Sequence, residues 1–292
     1  MSRRYRYVYA ALIALVCASC AGTSVLYEGR SHYSTIIVTE RPDGVRTLLF
    51  GHDGALQSVV KPGDPDYLEL AYTRTALAGL ALCGEPRRLL VVGLGGGTLP
   101  MFLHRHYPRA VIDVVEIDPA VVEVARRFFG FRDDDRLRVH VADGRRYIEQ
   151  AGASTYDAIF LDAFGGSSVP AHLTTVEFLR AVRRAVKPDG VVIGNVWKAT
   201  HNRLYGAMRR TYQDVFDALY ILDVQGDVNT IFLALPRRQA IDEAGLAQKA
   251  QRLSAQRGFG FDLGDAVRGH FEAAQVRDSA ARVLRDSGIG RE

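Results

Sequence analysis

Between residues 87 and 235 the hydrophobic positions follow two alternating patterns. Short strand-like segments recur at 88–92, 111–115, 137–141, 158–161 and 191–194, and the first is a continuous apolar run, as expected of a strand covered on both faces. Between them lie segments with helical spacing. Residues 99–106 form one; residues 119–129 carry alanine and valine on one side and arginines on the other; residues 175–186 are stopped by Lys187-Pro188-Asp189-Gly190. This alternation predicts a parallel, doubly wound sheet. Residues 218–224 and 230–235, joined by Gln225-Gly226-Asp227-Val228-Asn229, predict an antiparallel pair that closes it and sets it apart from a plain dinucleotide-binding sheet.

Upstream the period changes to two. Residues 33–39 alternate and are rich in Ile, Thr and Val, and 46–50 and 55–60 follow. Pro42-Asp43-Gly44 and His52-Asp53-Gly54 separate them, and Asp-Gly pairs suit tight hairpin turns because glycine supplies a positive φ. A small antiparallel N-terminal sheet is predicted, then a looser stretch from Lys61 to Pro65 and a helix over 67–82. The last fifty residues read as Ala- and Arg-rich helix without a repeat. The expected organisation is a leader at 1–22, a β domain at 24–66, an α/β domain at 67–238 and a helical tail at 239–292.

Composition changes this picture little. A chain of 292 residues with 48% hydrophobic and 24% charged content suits one large core with a small appended domain. The net charge of +4 owes three units to Arg3, Arg4 and Arg6, and the remainder, about +1, gives no case for nucleic acid. Eight histidines and three cysteines show no zinc-type spacing. His104 and His106, two apart on a predicted helix, do not share a face, so no metal is expected.

The first 22 residues do change it. Three arginines precede an apolar stretch at 10–18, and Ser19, Cys20, Ala21 and Gly22 are small, the layout of a bacterial secretory leader. The apolar run is short for a span of about 20 residues. Ala18-Ser19-Cys20 resembles a lipoprotein leader with Cys20 as the lipidated residue, although Cys17 stands where leucine is usual. The expectation is an exported or membrane-attached protein, and a cytoplasmic one if the segment is not a leader. Cys83 is then a small core residue.

Ligands of open α/β sheets bind beyond the carboxyl ends of the strands. The first such turn is Gly93-Leu94-Gly95-Gly96-Gly97-Thr98, where Gly93, Gly95 and Gly97 let the backbone approach a ligand with a helix N-terminus behind it. Thr98 stands where a dinucleotide fingerprint wants Gly or Ala, which disfavours NAD and FAD. Glu116, at the end of the second strand, is placed to accept from both ribose hydroxyls, and Asp118 to cap the helix that begins at Pro119. After the third strand, Asp143 can accept from an adenine amino group while Gly144 leaves room for the ring. Asp162, after the fourth, is poised where a reactive sulfonium would lie, and Asn195 follows the fifth.

At these residues the chain resembles the spermidine/spermine synthase family, the polyamine aminopropyltransferases, in its spermidine synthase-like bacterial branch. The resemblance runs from about Tyr33 to Leu235. The family's glycine motif resembles Gly93-Leu94-Gly95-Gly96-Gly97, and its ribose-binding Val-Glu-Ile-Asp stands unchanged as Val115-Glu116-Ile117-Asp118, which adds Ile117 to the cofactor-binding set. Its Asp-Gly adenine contact looks like Asp143-Gly144, and its catalytic aspartate corresponds to Asp162. Pro170-Ala171-His172-Leu173-Thr174-Thr175 resembles the family's Pro-Ala-Glu-Ser-Leu-Phe stretch, and Gln57 and Tyr72 match positions that line the substrate.

The resemblance implies a class I methyltransferase-like, Rossmann-like sheet behind a small β domain. It also implies decarboxylated S-adenosylmethionine or S-adenosylmethionine as co-substrate, a small amine as acceptor and a homodimer. Departures cluster in the amine half. Gly165 replaces a second acid, Thr73-Arg74 replaces a Gln/His-Glu pair, and Ser34 replaces a glutamine. Two other functions compete with aminopropyl transfer: methyl transfer to a small molecule, and nucleotide binding without catalysis in the cell envelope.

Overall fold

The computed structural model describes residues 22–52, 55–165, 169–277 and 279–289. The leader with Cys20 lies outside these, apart from Gly22, as do Asp53 and Gly54 of the second predicted turn.

Four strands, β1 (Ser24–Arg30), β2 (Thr35–Glu40), β3 (Arg46–Phe50) and β4 (Ala55–Val60), form an antiparallel meander. Gly44 turns β2 into β3 at a φ of +79°, as the Asp43-Gly44 pair predicts. The sheet buries one face: Ile36, Val38, Leu48 and Val60 pack with Val121, Val124 and Phe129 of the α/β unit. That contact, formed by residues far apart in sequence, fixes the small sheet over the ends of the large one.

The helix expected over 67–82 is shorter. It is α1 (Ala71–Leu77), continued by a tight 3-10 turn from Ala78 to Leu82. Leu70 is extended and Arg74 spends its guanidinium on the Leu68 carbonyl, so the preceding segment stays out of the helix.

Then follow β5 (Arg88–Val92), α2 (Thr98–His106), β6 (Val111–Glu116), α3 (Pro119–Phe128), β7 (Leu137–Val141), α4 (Gly144–Gln150), β8 (Tyr156–Leu161), α5 (Val176–Ala185), β9 (Val186–Trp197), α6 (Tyr205–Val215), β10 (Ala218–Asp223), β11 (Asn229–Leu235), α7 (Glu243–Arg257) and β12 (Phe271–Ala273). Among the described residues eight strands make the central sheet in the order β12-β10-β11-β9-β8-β5-β6-β7. β5 through β9 pair in parallel, and β11 inserts antiparallel between β9 and β10. The sheet is mixed, and its closing pair stands where the apolar pattern puts it.

Other elements also depart from the sequence reading. Lys187-Pro188-Asp189-Gly190 ends α5 but does not precede the strand. β9 already begins at Val186, and the four residues bulge out of a ladder that pairs Tyr156 with Val186 and then Ala158 with Val191. Lys187 is held there by Asp157 at 2.7 Å, and the Asp157 carboxylate also accepts from the Arg87 and Arg88 amides. The tail is not helical throughout. Phe271–Ala273 adds a strand to the edge of the sheet, and Asp286 pairs with Arg145 at 2.6 Å. Helices α4 and α6 are absent from the sequence reading; α4 buries only Gly144 and Ile148, whereas α6 buries Met208, Thr211, Tyr212 and Val215 at helical spacing.

The core lies on both sides of the sheet. Cys83 packs at its margin, and burial pushes its thiol up to about 12, which leaves it inert. His106 is a packing residue with its ring against Phe102 and its Nε2 2.6 Å from Asp66. No helix among the described residues is long and apolar enough to cross a membrane.

Candidate active site

A cavity of about 650 Å³ opens between the carboxyl ends of β5, β6, β8 and β9 and the inner face of the small sheet. One side of it begins at the glycine turn. Gly93 sits at a φ of +103°, and a Cβ there would lie 2.3 Å from the Asp162 carbonyl oxygen. Only glycine lets the first turn pass that close beneath the end of β8. Gly97, at +83°, starts α2, and its missing Cβ leaves room for the Phe131 ring. Gly93 and Gly95 face the cavity. The Thr98 hydroxyl donates to the Val59 carbonyl and lies 3.1 Å from Ser58 Oγ, so this residue ties the glycine turn to the small sheet.

Glu116 reaches back across the same turn. Its two carboxylate oxygens accept from the Leu94 and Asp118 amides, each at 3.0 Å. Burial raises its pKa, while those amides pull the other way. A carboxylate offers about four acceptor positions, so two remain for a ligand's hydroxyls. Ile117 lies on the cavity wall beside it. Asp118 caps α3 by accepting from the Ala120 amide at 2.9 Å.

Asp143 and Gly144 sit one layer further out. Asp143 caps α4 by accepting from the Arg146 amide at 2.9 Å, and its second oxygen is 3.0 Å from His172 Nε2. His172 lines the cavity; Asp143 stands behind it. A Cβ on Gly144 would come within 2.6 Å of Val92 Cγ1, so close packing of α4 on β5 demands glycine at this position. The sequence reading reserved that space for an adenine ring.

A second group of side chains centres on Asp162, whose backbone carbonyl lies against the glycine turn. Asn195 Nδ2 donates to Asp162 Oδ1 at 2.8 Å and Asn229 Nδ2 donates to Asn195 Oδ1 at 2.7 Å, while the nearby Tyr72 hydroxyl favours the Asp162 carboxylate. Burial pushes the Asp162 carboxyl up to about 7, against Asn195 and Tyr72, which hold it down. Tyr72 is raised well above the ordinary phenol value, first by burial and then by the charge of Asp162. Gln57, Tyr72 and Gly165 all line the cavity. Thr73 lines it too, whereas Arg74 faces Leu68 and brings no charge to the site.

Sequence reasoning missed three features. Asn229 and Asp227 were read as turn residues, because nothing local says that a hairpin tip between β10 and β11 reaches the end of β8. Phe164 and Trp197 stack at 5.6 Å and form one wall, a contact between a loop and the last residue of β9, 33 positions apart, that no period reveals. Asn195, at the end of a strand, was the one legible member of the amide chain. No group of three or more His, Cys, Asp or Glu side chains among the described residues could hold a metal ion.

Residues 69–220 match the spermine/spermidine synthase domain. A polyamine aminopropyltransferase of Vibrio vulnificus (strain CMCP6) is 36% identical over 247 residues, which cover 80% of this chain and 82% of that one. The chain belongs to the spermine/spermidine synthase family. Among solved structures, a probable spermidine synthase from Corynebacterium glutamicum superposes with a TM-score of 0.71 over 90% of this chain and 97% of that one. At 21% identity that likeness speaks for the fold. Human methyltransferase-like protein 13, in complex with SAH, is 34% identical with a TM-score of 0.59, covering 65% of this chain and 93% of that one. Family members and a methyltransferase thus share this fold, and the chemistry has to be argued from the cavity.

Proposed function

We propose that this transferase moves an aminopropyl group from decarboxylated S-adenosylmethionine to a small amine, a step of polyamine biosynthesis. The observation that carries this reading is the charge of the cavity. Among the described residues its ionisable walls include Glu116, Asp118, Asp162 and Asp227, with two histidines and neither lysine nor arginine. Such a lining favours cationic ligands at both ends of the reaction. S-adenosylmethionine carries a carboxylate that would meet acids and no cation there, and burying an unpaired anion is costly. The decarboxylated donor presents an ammonium instead.

The acceptor's amine nitrogen attacks the propyl carbon bonded to the sulfonium sulfur. The carbon–sulfur bond breaks, its electron pair stays on sulfur, and 5′-methylthioadenosine leaves. An amine with a pKa of about 10.4 must first lose a proton. Asp162, held near 7 by burial, accepts that proton and so frees the nitrogen lone pair for attack. Glu116 and the glycine turn hold the nucleoside so that nitrogen, carbon and sulfur fall in line.

A second reading, methyl transfer from S-adenosylmethionine, draws on the 34% identity to human methyltransferase-like protein 13. Calorimetry against the two donors separates them. Decarboxylated S-adenosylmethionine is expected to bind at least tenfold more tightly, and spermidine to form from putrescine. The reverse ranking, with no spermidine, would overturn the proposal. Homodimerisation and membrane attachment or export through residues 1–22 extend the reading. Analytical centrifugation and cell fractionation test them.

A further inference from the structure

We infer that Asp227, at the tip of the β10–β11 hairpin, is the second carboxylate of the acceptor site and selects diamines over monoamines. The inference rests on the aminopropyl-transfer reading and names the acceptor class that the same cavity takes. The loop that follows Asp162 supplies no further acid, since Ala163, Phe164, Gly165, Gly166, Ser167 and Ser168 come next. The cavity nevertheless has a second acid from another segment, because Asp227 lines it together with Asp162.

The two carboxylates are linked by what lies between them. Tyr72, whose hydroxyl favours the Asp162 carboxylate, also feels the negative charge of Asp227. The amide chain from Asp162 through Asn195 to Asn229 ends two residues from Asp227, so the hairpin tip is anchored to the catalytic strand end. Asp227 is also available for a ligand. Its Oδ1 accepts from the Val228 amide at 2.7 Å, and among the described residues it has no ion pair. The nearby Lys198 is committed elsewhere, to Asp223 and the Val224 carbonyl, each at 2.8 Å.

The wall beside the hairpin suits the body of a diamine. Trp197 and Phe164 present stacked aromatic faces, which accept methylene groups and attract an ammonium. One amine would therefore sit deprotonated at Asp162, and the other would stay charged at Asp227. A monoamine could use the first position only.

The test compares wild type with Asp227→Asn and Asp227→Glu, using putrescine and propylamine as acceptors. Asp227→Asn is expected to raise KM for putrescine at least tenfold while leaving kcat within about twofold. KM for propylamine and affinity for 5′-methylthioadenosine should not change, and Asp227→Glu should recover part of the loss. A putrescine KM equal to wild type, or equal losses with both acceptors, would overturn the assignment and leave aminopropyl transfer standing. A wild-type enzyme that binds 5′-methylthioadenosine but neither transfers an aminopropyl group nor binds putrescine would overturn both.

Discussion

The two halves of the cavity are built by different rules. On the nucleoside side the groups come from strand ends and the turns that follow them within one βαβ unit: the glycine turn after β5 and Glu116 at the end of β6. Their geometry is dictated locally, by a glycine at positive φ and by amides that a carboxylate must satisfy. On the amine side the groups come from four separate places: Tyr72 on α1, Asp162 after β8, Asn195 on β9 and Asp227 beyond β10. Here the fold can hold a charge by more than one route, so an acid absent from one loop can be supplied by another. Under the proposed function, the half built by local backbone rules would hold the nucleoside, and the half assembled from distant segments would set acceptor specificity.

The sharpest test of that contrast is at Asp162, where the halves meet. Asp162→Asn keeps the shape and the Asn195 contact but removes the proton acceptor. Transfer should fall by about 10²–10⁴, while 5′-methylthioadenosine still binds. The same variant reports on burial. A folded carboxyl near 7, raised from 3.8, binds protons that the unfolded chain has already released, so wild type loses stability as pH rises between those values. Thermal melts should therefore show Asp162→Asn equal to wild type at pH 4 and more stable above pH 7, with an upper bound of about 4 kcal/mol. A variant less stable than wild type at pH 8 would contradict the buried charge.

Next in size is Glu116→Gln. One oxygen can still accept, but the amide nitrogen then faces a backbone N–H and the charge is lost. Charge-assisted bonds contribute about 1.5–3 kcal/mol, so affinity for 5′-methylthioadenosine should fall roughly tenfold to a hundredfold by calorimetry, with kcat at saturating donor changed less. An unchanged affinity would separate Glu116 from the nucleoside.

The smallest effect is the most diagnostic of the amine half. The kcat/KM profile should rise through about pH 7 as Asp162 ionises. Asn195→Ala removes a donor that favours the carboxylate, so the inflection should move to higher pH; Tyr72→Phe should move it the same way by less, since its hydroxyl is the weaker of the two influences. An inflection that stays put in both variants would mean another group titrates.

Much of the large sheet was legible because apolar runs for buried parallel strands and amphipathic stripes for covering helices are short-range patterns. Where reading failed, the element was not specified locally. Helix α4 starts at the Asp143 cap without an apolar stripe, and the tail strand β12 forms only because β10 offers it an open edge. Gly144 shows the limit for a site residue. Its place in a motif was plain, but the contact that makes glycine necessary is with Val92, two strands' worth of chain away.

By itself the amino-acid sequence determined the strand order of chemistry: a glycine turn, then Glu116, then Asp143, then Asp162, each at the end of an element whose period can be counted. Those positions follow from backbone rules that act over a few residues. Only the tertiary structure decided which of them meet. The depth that lifts Asp162 toward 7, the amide chain through Asn195 and Asn229, and the arrival of Asp227 in the same cavity all depend on packing between distant segments. Desolvation and electrostatics are properties of the assembled surroundings of a group, and no stretch of sequence carries them alone.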